Sequence, residues 1–145
     1  MSGMAIERSQ SVVYSFQGRW EEALRMQQVL VFFRKKRPTK CPSRVFFYIG
    51  VPVKAIIGFA EVQEIRRITL GEANAIRNEA AISERELEKY IGKSGVVHAI
   101  RIGRARFFRE PMKLSALTEE FGFNPPQSFS IMDEEVEASI LDKVE

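Results

Sequence analysis

The spacing of hydrophobic and polar residues changes several times along the chain, and each change marks the boundary of a predicted element. Ser11–Phe16 is rich in β-branched and aromatic residues, which predicts a first strand. Trp20–Gln28 has the spacing of a short helix with one buried face. Val29–Phe33 and Arg44–Ile49 are continuous apolar runs, which are typical of strands covered on both faces. The first third of the chain therefore predicts three strands and one helix.

The middle of the chain begins with a long strand and then changes to helical spacing. Lys54–Ile68 predicts a long strand or a bent pair, and Gly58 within it predicts a bulge or a close approach of another backbone segment. Thr69–Tyr90 has the spacing of two helices. Ser83 and Glu86 form the capping box that starts the second of these helices.

The last third adds strands before it adds helices. Val96–Phe108 predicts two strands or one strand bent at Gly103, and Pro111 is expected to end it. Leu114–Phe121 predicts a helix, and a further helix is expected within Met132–Leu141. Because the strands follow one another without crossover helices, we expect an α+β fold with a mostly antiparallel sheet or small barrel.

Composition supports one globular domain, since the 145 residues are 45% hydrophobic and 28% charged. We assign the domain to residues 11–131, between a flexible N-terminal segment (1–10) and an acidic C-terminal tail (132–145). One cysteine and one histidine exclude an internal disulfide and leave no recognisable metal-ligand set, so no metal or cofactor is expected. No apolar run approaches the ~20 residues of a membrane span, and residues 1–11 lack the apolar stretch of a signal peptide. We therefore expect a cytoplasmic protein without a membrane partner, with a monomer favoured.

Charge is concentrated in patches. The last thirteen residues carry −5, so the first 132 carry +8 of the total of +3. Two basic stretches stand out, one with no acid between its members and one interrupted by Glu110: Arg34, Lys35, Lys36, Arg37, Lys40 and Arg44, and then Arg101, Arg104, Arg106, Arg109 and Lys113. Such patches create a directional field that attracts an anionic partner. The alternative is a solvated loop kept basic for solubility. Strand alternation would send Arg34 and Lys36 to one side, and Lys35 and Arg37 to the other.

Short sequence motifs (here called words) occur in a fixed order between Val12 and Phe129, and they carry a family resemblance. They are Arg34-Lys35-Lys36-Arg37-Pro38, Val45-Phe46-Phe47-Tyr48, Pro52-Val53-Lys54-Ala55-Ile56-Ile57-Gly58, Ile82-Ser83, Tyr90-Ile91-Gly92-Lys93, Ala99-Ile100-Arg101-Ile102, Pro111 with Leu114, and Phe123-Asn124-Pro125-Pro126-Gln127-Ser128-Phe129. In this order they resemble the ASCH domain family, most closely its stand-alone archaeal and viral members, which are described as predicted regulators. The resemblance implies the small mixed β-barrel called PUA-like, with peripheral helices.

The family signature is largely replaced in this chain. The signature is Gly-x-Lys-x-x-Glu-x-Arg, and its positions correspond to Gln27, Val29, Phe32 and Arg34, of which only the arginine is kept. The activities of the family, amide hydrolysis on acylated nucleosides and RNA cleavage, would need the replaced residues. RNA binding, the usual role of PUA-like domains, needs positive charge and stacking faces, and the chain keeps both.

The resemblance and the charge pattern together predict a non-catalytic module that binds RNA or another nucleic acid, with no catalytic residue assigned. The predicted binding residues are Arg34, Lys35, Lys36, Arg37, Lys40, Arg44, Tyr48, Arg101 and Arg104. One alternative is a small hydrolase acting on a modified nucleoside or RNA through Glu61, Glu64 or His98. Another is a protein-interaction scaffold whose basic and acidic patches pair between copies.

Several candidate residues also have a structural interpretation. His98 is predicted to be a hydrogen-bonded core residue more than a catalyst, and Cys41 an incidental surface thiol. The aromatic runs are predicted to be core, with Tyr48 the best exception, because its hydroxyl needs a polar partner. The acidic tail is predicted to be a solvated end. The alternative is a nucleic-acid mimic that covers the basic patches.

Overall fold

A computed structural model describes residues 10–142, which form seven strands and five α-helices. The strands are β1 (Val12–Phe16), β2 (Val31–Arg34), β3 (Arg44–Ile49), β4 (Ala55–Thr69), β5 (Val96–Ile102), β6 (Arg106–Lys113) and β7 (Phe129–Ile131). The helices are α1 (Trp20–Arg25), α2 (Leu70–Ala75), α3 (Glu84–Ile91), α4 (Leu114–Phe121) and α5 (Glu134–Leu141). Two 3₁₀ helices cover Arg77–Ala80 and Gly92–Ser94. The predicted order of elements is confirmed, and β7 is an addition to it.

The sheet is organised around β4, which is fifteen residues long. The strand order is β2-β5-β4-β3-β1-β7, with β6 paired to β4 beside this path. The first half of β4 pairs with β3 and β6, and its second half pairs with β5. Only the β1–β3 pair is parallel among the described strand pairs, so the expectation of a mostly antiparallel sheet is confirmed.

The expected barrel is not formed, because the strand order ends at β2 on one side and at β7 on the other, and these two strands do not pair. One edge of β1 pairs with β3 and the other with β7, so β2 lies across an opening from β1 without a strand pairing to it. Side chains bridge the gap instead. The Tyr14 hydroxyl donates to the Lys36 carbonyl at 2.8 Å, and Arg34 Nη1 donates to the Ser15 carbonyl at 2.8 Å. The short strand β7, which the sequence did not predict, therefore determines where the sheet opens.

Three hydrophobic clusters form the core, and successive residues of one strand point into different clusters. Phe47 lies in the inner cluster with Tyr14, Phe16 and Phe32. Its neighbours Phe46 and Tyr48 lie in the second cluster, which α4 and α5 cover, and the third cluster packs under α2 and α3. The predicted burial of both faces of β3 and the prediction of core for the aromatic runs are confirmed, and Tyr48 is part of that core.

At Gly58 the backbones of β4 and β6 approach each other closely. A Cβ atom at this residue would lie 2.2 Å from the Arg106 carbonyl oxygen, which no side chain can tolerate. The β4–β6 register shifts between Ile56 and Gly58, and the β3–β4 register shifts nearby. The prediction of a bulge and a close backbone approach is confirmed.

The prediction that Pro111 ends its strand is wrong, since β6 continues through it to Lys113. In the described structure β6 pairs only with β4, and Pro111 falls within the register shift between Met112 and Phe107. A proline without a ladder hydrogen bond to donate is accepted at such an edge position.

The helices are short, at most eight residues each, and no helix in residues 10–142 is long and apolar enough to cross a membrane. Helix α5 lies in the acidic C-terminal segment, as predicted. Met132, Val136 and Ile140 of this segment are buried in the second cluster, so it packs onto the sheet as far as Asp142. The predicted N-terminal segment 1–10 lies outside the described residues, apart from Gln10.

Candidate functional site

A cavity of about 860 Å³ lies where the sheet opens, between the ends of β1 and β2 and helices α1 and α3. We call it the β1–β2 cleft. Five basic side chains and one acidic side chain line it, together with aromatic rings: Arg19, Arg34, Lys35, Lys36 and Lys89, then Glu86, then Phe16, Trp20, Phe32, Phe33 and Tyr90. Its volume is within the range of about 300–1,000 Å³ that is usual for small-molecule sites. The lining suits an anionic ligand with a planar ring.

Arg34, the last residue of β2, is held by aromatic rings and one carbonyl group. Its guanidinium carbon lies 4.4 Å from the Phe16 ring centroid, 5.2 Å from that of Tyr14 and 5.3 Å from that of Phe32. Nη1 donates to the Ser15 carbonyl, which fixes the orientation of the planar group. Cation–π contacts of this kind stabilise a guanidinium without neutralising it.

The charge of Arg34 has no carboxylate partner in the part of the chain that the structure describes. Burial lowers the pKa of its guanidinium, and the Tyr90 and Tyr14 hydroxyls act in the opposite direction. Arginine keeps its proton even so, because its ordinary pKa lies far above neutrality. A guanidinium has five N–H donors, and the described residues accept from one of them. The arrangement therefore leaves a positive charge and unused donors facing the cleft.

Two tyrosines fix the basic loop that follows β2. Burial raises the pKa of Tyr14, so its hydroxyl stays protonated and donates to the Lys36 carbonyl. The Lys35 backbone N–H donates to the Tyr90 hydroxyl at 3.1 Å, and the Lys35 ammonium lies 5.3 Å from the Tyr90 ring centroid. Lys35 and Lys36 both line the cleft, so the predicted alternation is wrong at this point, because β2 already ends at Arg34.

Glu86 is the one acidic residue in the lining of the cleft, and it is already engaged. It caps α3 through the Ser83 backbone N–H and forms an ion pair with Arg19, whose guanidinium stacks on Trp20 at 4.0 Å. The Ser83 N–H and Arg19 lower the pKa of the Glu86 carboxyl. An ionised carboxylate with a lowered pKa is poorly suited to be a general acid.

Comparison with solved structures shows the fold. The ASCH protein from Zymomonas mobilis superposes with a TM-score of 0.84 at 26% sequence identity, over 94% of this chain and 99% of that chain. A serine-to-alanine variant of it gives a TM-score of 0.85 at 24% identity, over 94% and 98%. The chain has the ASCH fold. The N-terminal domain of Staphylothermus marinus McrB shares the fold at a TM-score of 0.62 and 13% identity, over 94% and 96%. No protein-family model matches the sequence, and no curated protein matches it.

The positions of the ASCH signature lie at one wall of the inner core. Gln27, matched from the sequence to the glycine of the signature, has a φ of 59°, a backbone conformation that favours glycine. Its side-chain amide exchanges two hydrogen bonds with the backbone of Ala105, at 2.9 and 3.0 Å. Val29 and Phe32, matched from the sequence to the lysine and glutamate of the signature, are both 4% exposed within the inner cluster. On that predicted correspondence, apolar packing replaces the polar residues of the signature.

Two of the predicted binding residues line a second cavity, of about 510 Å³, which we call the β3–β6 cavity. Arg44 and Arg104 lie there with Arg106. Arg44 is ion-paired with Glu137 of α5 at 3.0 Å, and Glu137 also accepts from the buried Ser11 hydroxyl at 2.7 Å. The acidic segment therefore contacts one basic residue of the predicted set.

The remaining predicted residues lie outside the β1–β2 cleft. Arg37 turns back onto its own loop and donates to the Pro38 and Thr39 carbonyls, and Lys40 is exposed on the same loop. Arg101 forms an ion pair with Glu79 at 2.9 Å. Tyr48 is 4% exposed on the side of β3 that faces the second cluster. The predicted set is thus divided, and Arg34, Lys35 and Lys36 are the members that converge on the cleft.

His98 is half-buried in β5, directly opposite Arg34 of β2 and Arg67 of β4. Burial, Arg37 and Arg67 lower the pKa of its imidazole, so the ring is neutral at physiological pH. Its Nδ1 is buried without a hydrogen-bond partner among the described residues, which corrects the prediction of a hydrogen-bonded core histidine. Cys41, a free thiol, is half-buried beside the inner cluster.

The carboxylates named for the hydrolase alternative lie elsewhere. Glu61 lines the β3–β6 cavity. Glu64 is exposed, and its Oε1 atom lies 3.7 Å from Nε of Arg66. Neither of them, nor His98, lines the β1–β2 cleft. Among residues 10–142, no group of three histidine, cysteine, aspartate or glutamate side chains is placed to hold a metal ion.

Sequence reasoning missed several residues of the cleft. Arg19 and Trp20 stand at the start of α1, and Lys89 and Tyr90 stand near the end of α3. Tyr90 and Ser128 belong to words that carried the family resemblance, which was the one available signal for them. Arg19 and Lys89 are isolated cations in the sequence, so charge patterning gave no reason to select them.

Proposed function

We propose that this ASCH-fold domain binds single-stranded RNA in the β1–β2 cleft and does not cleave it. The observation that carries the proposal is the Arg34 guanidinium, oriented at the cleft without a carboxylate partner among the described residues. A fixed guanidinium with unused N–H donors recognises a phosphate through parallel hydrogen bonds. Lys35, Lys36 and Lys89 add positive charge around it.

Two aromatic side chains of the cleft are candidates for stacking on a base. Trp20 and Tyr90 are half-buried, and neither takes part in a ring–ring contact among the described residues. Each ring has a cation over one face, Arg19 on Trp20 and Lys35 on Tyr90, so a base would stack on the other face. Stacking on an exposed ring contributes about 1–3 kcal/mol per base and tolerates any sequence. Single-stranded RNA has unstacked bases beside its phosphates, whereas a duplex hides them. A single strand therefore fits the combination of rings and cations.

The lining of the cleft argues for binding without turnover. Its acidic residue, Glu86, is ionised and paired with Arg19. Phe32 stands where the family signature has a glutamate, and it packs against Arg34. General acid–base catalysis needs a titratable group within hydrogen-bond reach of the reacting atoms, with a pKa near the working pH. We therefore expect no RNA cleavage and no hydrolysis of modified nucleosides.

Fluorescence anisotropy with short single-stranded RNA at several salt concentrations tests the proposal. The test variant is Lys35→Ala,Lys36→Ala, because both side chains are exposed and their loss leaves the core intact. We expect wild-type binding to weaken steeply with salt and the variant to bind at least about tenfold more weakly. Its slope in a plot of log affinity against log salt should fall by about 1.4, because each phosphate contact with a single strand contributes about 0.7.

The matched control is Arg109→Ala,Lys113→Ala, which removes the same charge from exposed positions of β6 that line neither cavity. We expect this control to lose only the small affinity that net charge contributes. Equal losses of RNA affinity in the two variants would mean that RNA binds the basic surface in general and not the cleft in particular. Absence of binding at low salt would refute the proposal, and release of RNA fragments during the titration would contradict its non-catalytic part.

A further inference from the structure

The basic loop between β2 and β3 connects the β1–β2 cleft to the β3–β6 cavity. Residues 35–43 run from Arg34, in the cleft, to Arg44, in the cavity. Arg34 and Arg44 are ten residues apart, so their Cα atoms are separated by at most about 36 Å along the loop. Lys35, Lys36 and Lys40 lie on the loop as exposed cations. A chain with regularly spaced negative charges could therefore lie along it from one cavity to the other.

The β3–β6 cavity is itself prepared for an anion. Three of its lining residues are arginines and one, Glu61, is acidic. The guanidinium carbons of Arg44 and Arg106 lie 5.9 and 5.7 Å from the Phe59 ring centroid, which positions both groups without neutralising them. Glu137 offsets the charge of Arg44. Arg104 and Arg106 form no ion pair within the described residues, and both are exposed.

We infer that the β3–β6 cavity is a second subsite for the same strand, in which Arg104 and Arg106 bind its sugar–phosphate backbone. This inference rests on the proposed function, since it extends the footprint of the strand from the β1–β2 cleft along residues 35–43. Two linked subsites gain affinity through effective concentration, without any new contact inside either one. Affinity should therefore increase in a step when the RNA becomes long enough to reach both cavities.

The test measures binding of RNAs from about 2 to about 16 nucleotides, a range that covers the site sizes of about 4–16 nucleotides found in single-strand binders. We expect wild-type affinity to increase by about tenfold or more over a narrow range of lengths. Arg104→Ala,Arg106→Ala should remove this step and bind the shortest RNAs as the wild type does. The salt slope of that variant for the longest RNA should be lower by about 1.4.

A second variant, Arg104→Glu, protects the test against an indirect effect on folding, because this side chain is exposed and forms no ion pair among the described residues. It should also abolish the step, whereas the Arg109→Ala,Lys113→Ala control should keep it. A smooth increase of affinity with length in the wild type would overturn the second subsite and leave the cleft proposal standing. If Lys35→Ala,Lys36→Ala is the one variant that loses binding of the shortest RNAs, this result supports binding in the β1–β2 cleft independently of the second subsite. No binding at any length would refute both.

Discussion

Arg34 combines a cost in folding free energy with a proposed role in RNA binding. It lies among Phe16, Tyr14 and Phe32, where an apolar side chain would pack well, and its charge is not neutralised by a described carboxylate. Removing a charge from water costs free energy unless it is paired, and the lowered pKa of Arg34 reflects this cost. A residue kept in such a position is expected to have a role in binding.

Arg34→Met tests this opposition between stability and binding. Methionine fills a similar volume, and an apolar side chain avoids the free-energy cost of holding the unpaired charge of half-buried Arg34 partly out of water. We expect the free energy of unfolding in urea to stay within about 1 kcal/mol of wild type or to increase, while RNA affinity falls by at least about tenfold. Arg101→Met is the control, since its arginine is already paired with Glu79 and lies outside the cleft. A variant that loses about 3 kcal/mol of stability and keeps its affinity would make Arg34 a structural residue.

At the scale of elements, short polar motifs position the walls of the cleft. Helix α3 starts at the capping box of Ser83 and Glu86, and the same Glu86 forms the ion pair with Arg19 at the start of α1. Tyr90, near the end of α3, then meets the backbone of Lys35. A local helix start thus determines where one aromatic wall stands relative to the basic loop.

Glu86→Gln should change stability in a pH-dependent way. The pKa of the Glu86 carboxyl is lowered in the folded protein, so its charge stabilises the fold above the pKa of the unfolded chain, about 4.3. That contribution is lost as pH falls through the folded pKa. We expect the wild type to be more stable than the variant at neutral pH by less than about 1 kcal/mol, because the pair is exposed, and this difference to shrink as pH falls below about 4.

Urea unfolding over a pH series measures this difference. Gln can still cap the Ser83 N–H, so the substitution isolates the charge. Glu88→Gln, on the same helix but without a hydrogen bond to Ser83 or Arg19, is the control. A stability difference that stays constant from pH 7 to pH 3 would show that the Glu86 charge is not its source.

At the scale of the whole molecule, the acidic C-terminal segment is part of the packed structure as far as Asp142. Helix α5 covers the second cluster with Val136 and Ile140, and its Glu137 holds Arg44 and Ser11 from a distance of 93 and 126 residues along the chain. Seen in sequence alone, the same residues resemble a solvated end. The segment therefore contributes a hydrophobic face and also determines which arginine of the β3–β6 cavity is neutralised.

Ile140→Ala tests the packing of this segment. Ile140 is 0% exposed, and truncating a fully buried isoleucine costs about 2–5 kcal/mol through lost burial and the cavity that remains. We expect that loss in urea unfolding followed by far-ultraviolet circular dichroism. Ala138→Gln, at an exposed position of the same helix, should change stability by less than about 0.5 kcal/mol. Equal stability of the two variants would mean that α5 does not pack on the second cluster.

The sequence by itself determined the features that depend on near neighbours. Continuous apolar runs predicted that β3 is buried on both faces, Gly58 predicted the close approach to β6, and Ser83 with Glu86 predicted the start of α3. Each of these follows from the period of a strand or helix, or from a hydrogen bond between residues three apart. Such signals are local, and the surrounding fold did not override them. The order of the words also predicted the ASCH fold.

Only the tertiary structure decided whether the sheet closes and which charges meet. The sheet does not close, because β7 adds to the edge of β1 and does not itself pair with β2, and such pairing between distant strands is not visible in the local spacing of residues. Long-range contacts also separate the basic residues, since Arg44 is ion-paired with Glu137 and Arg101 is ion-paired with Glu79. Arg19 and Lys89, isolated in the sequence, joined Arg34 in the cleft. Local sequence patterns predict single elements, whereas long-range strand pairing determines which residues of different elements share a site.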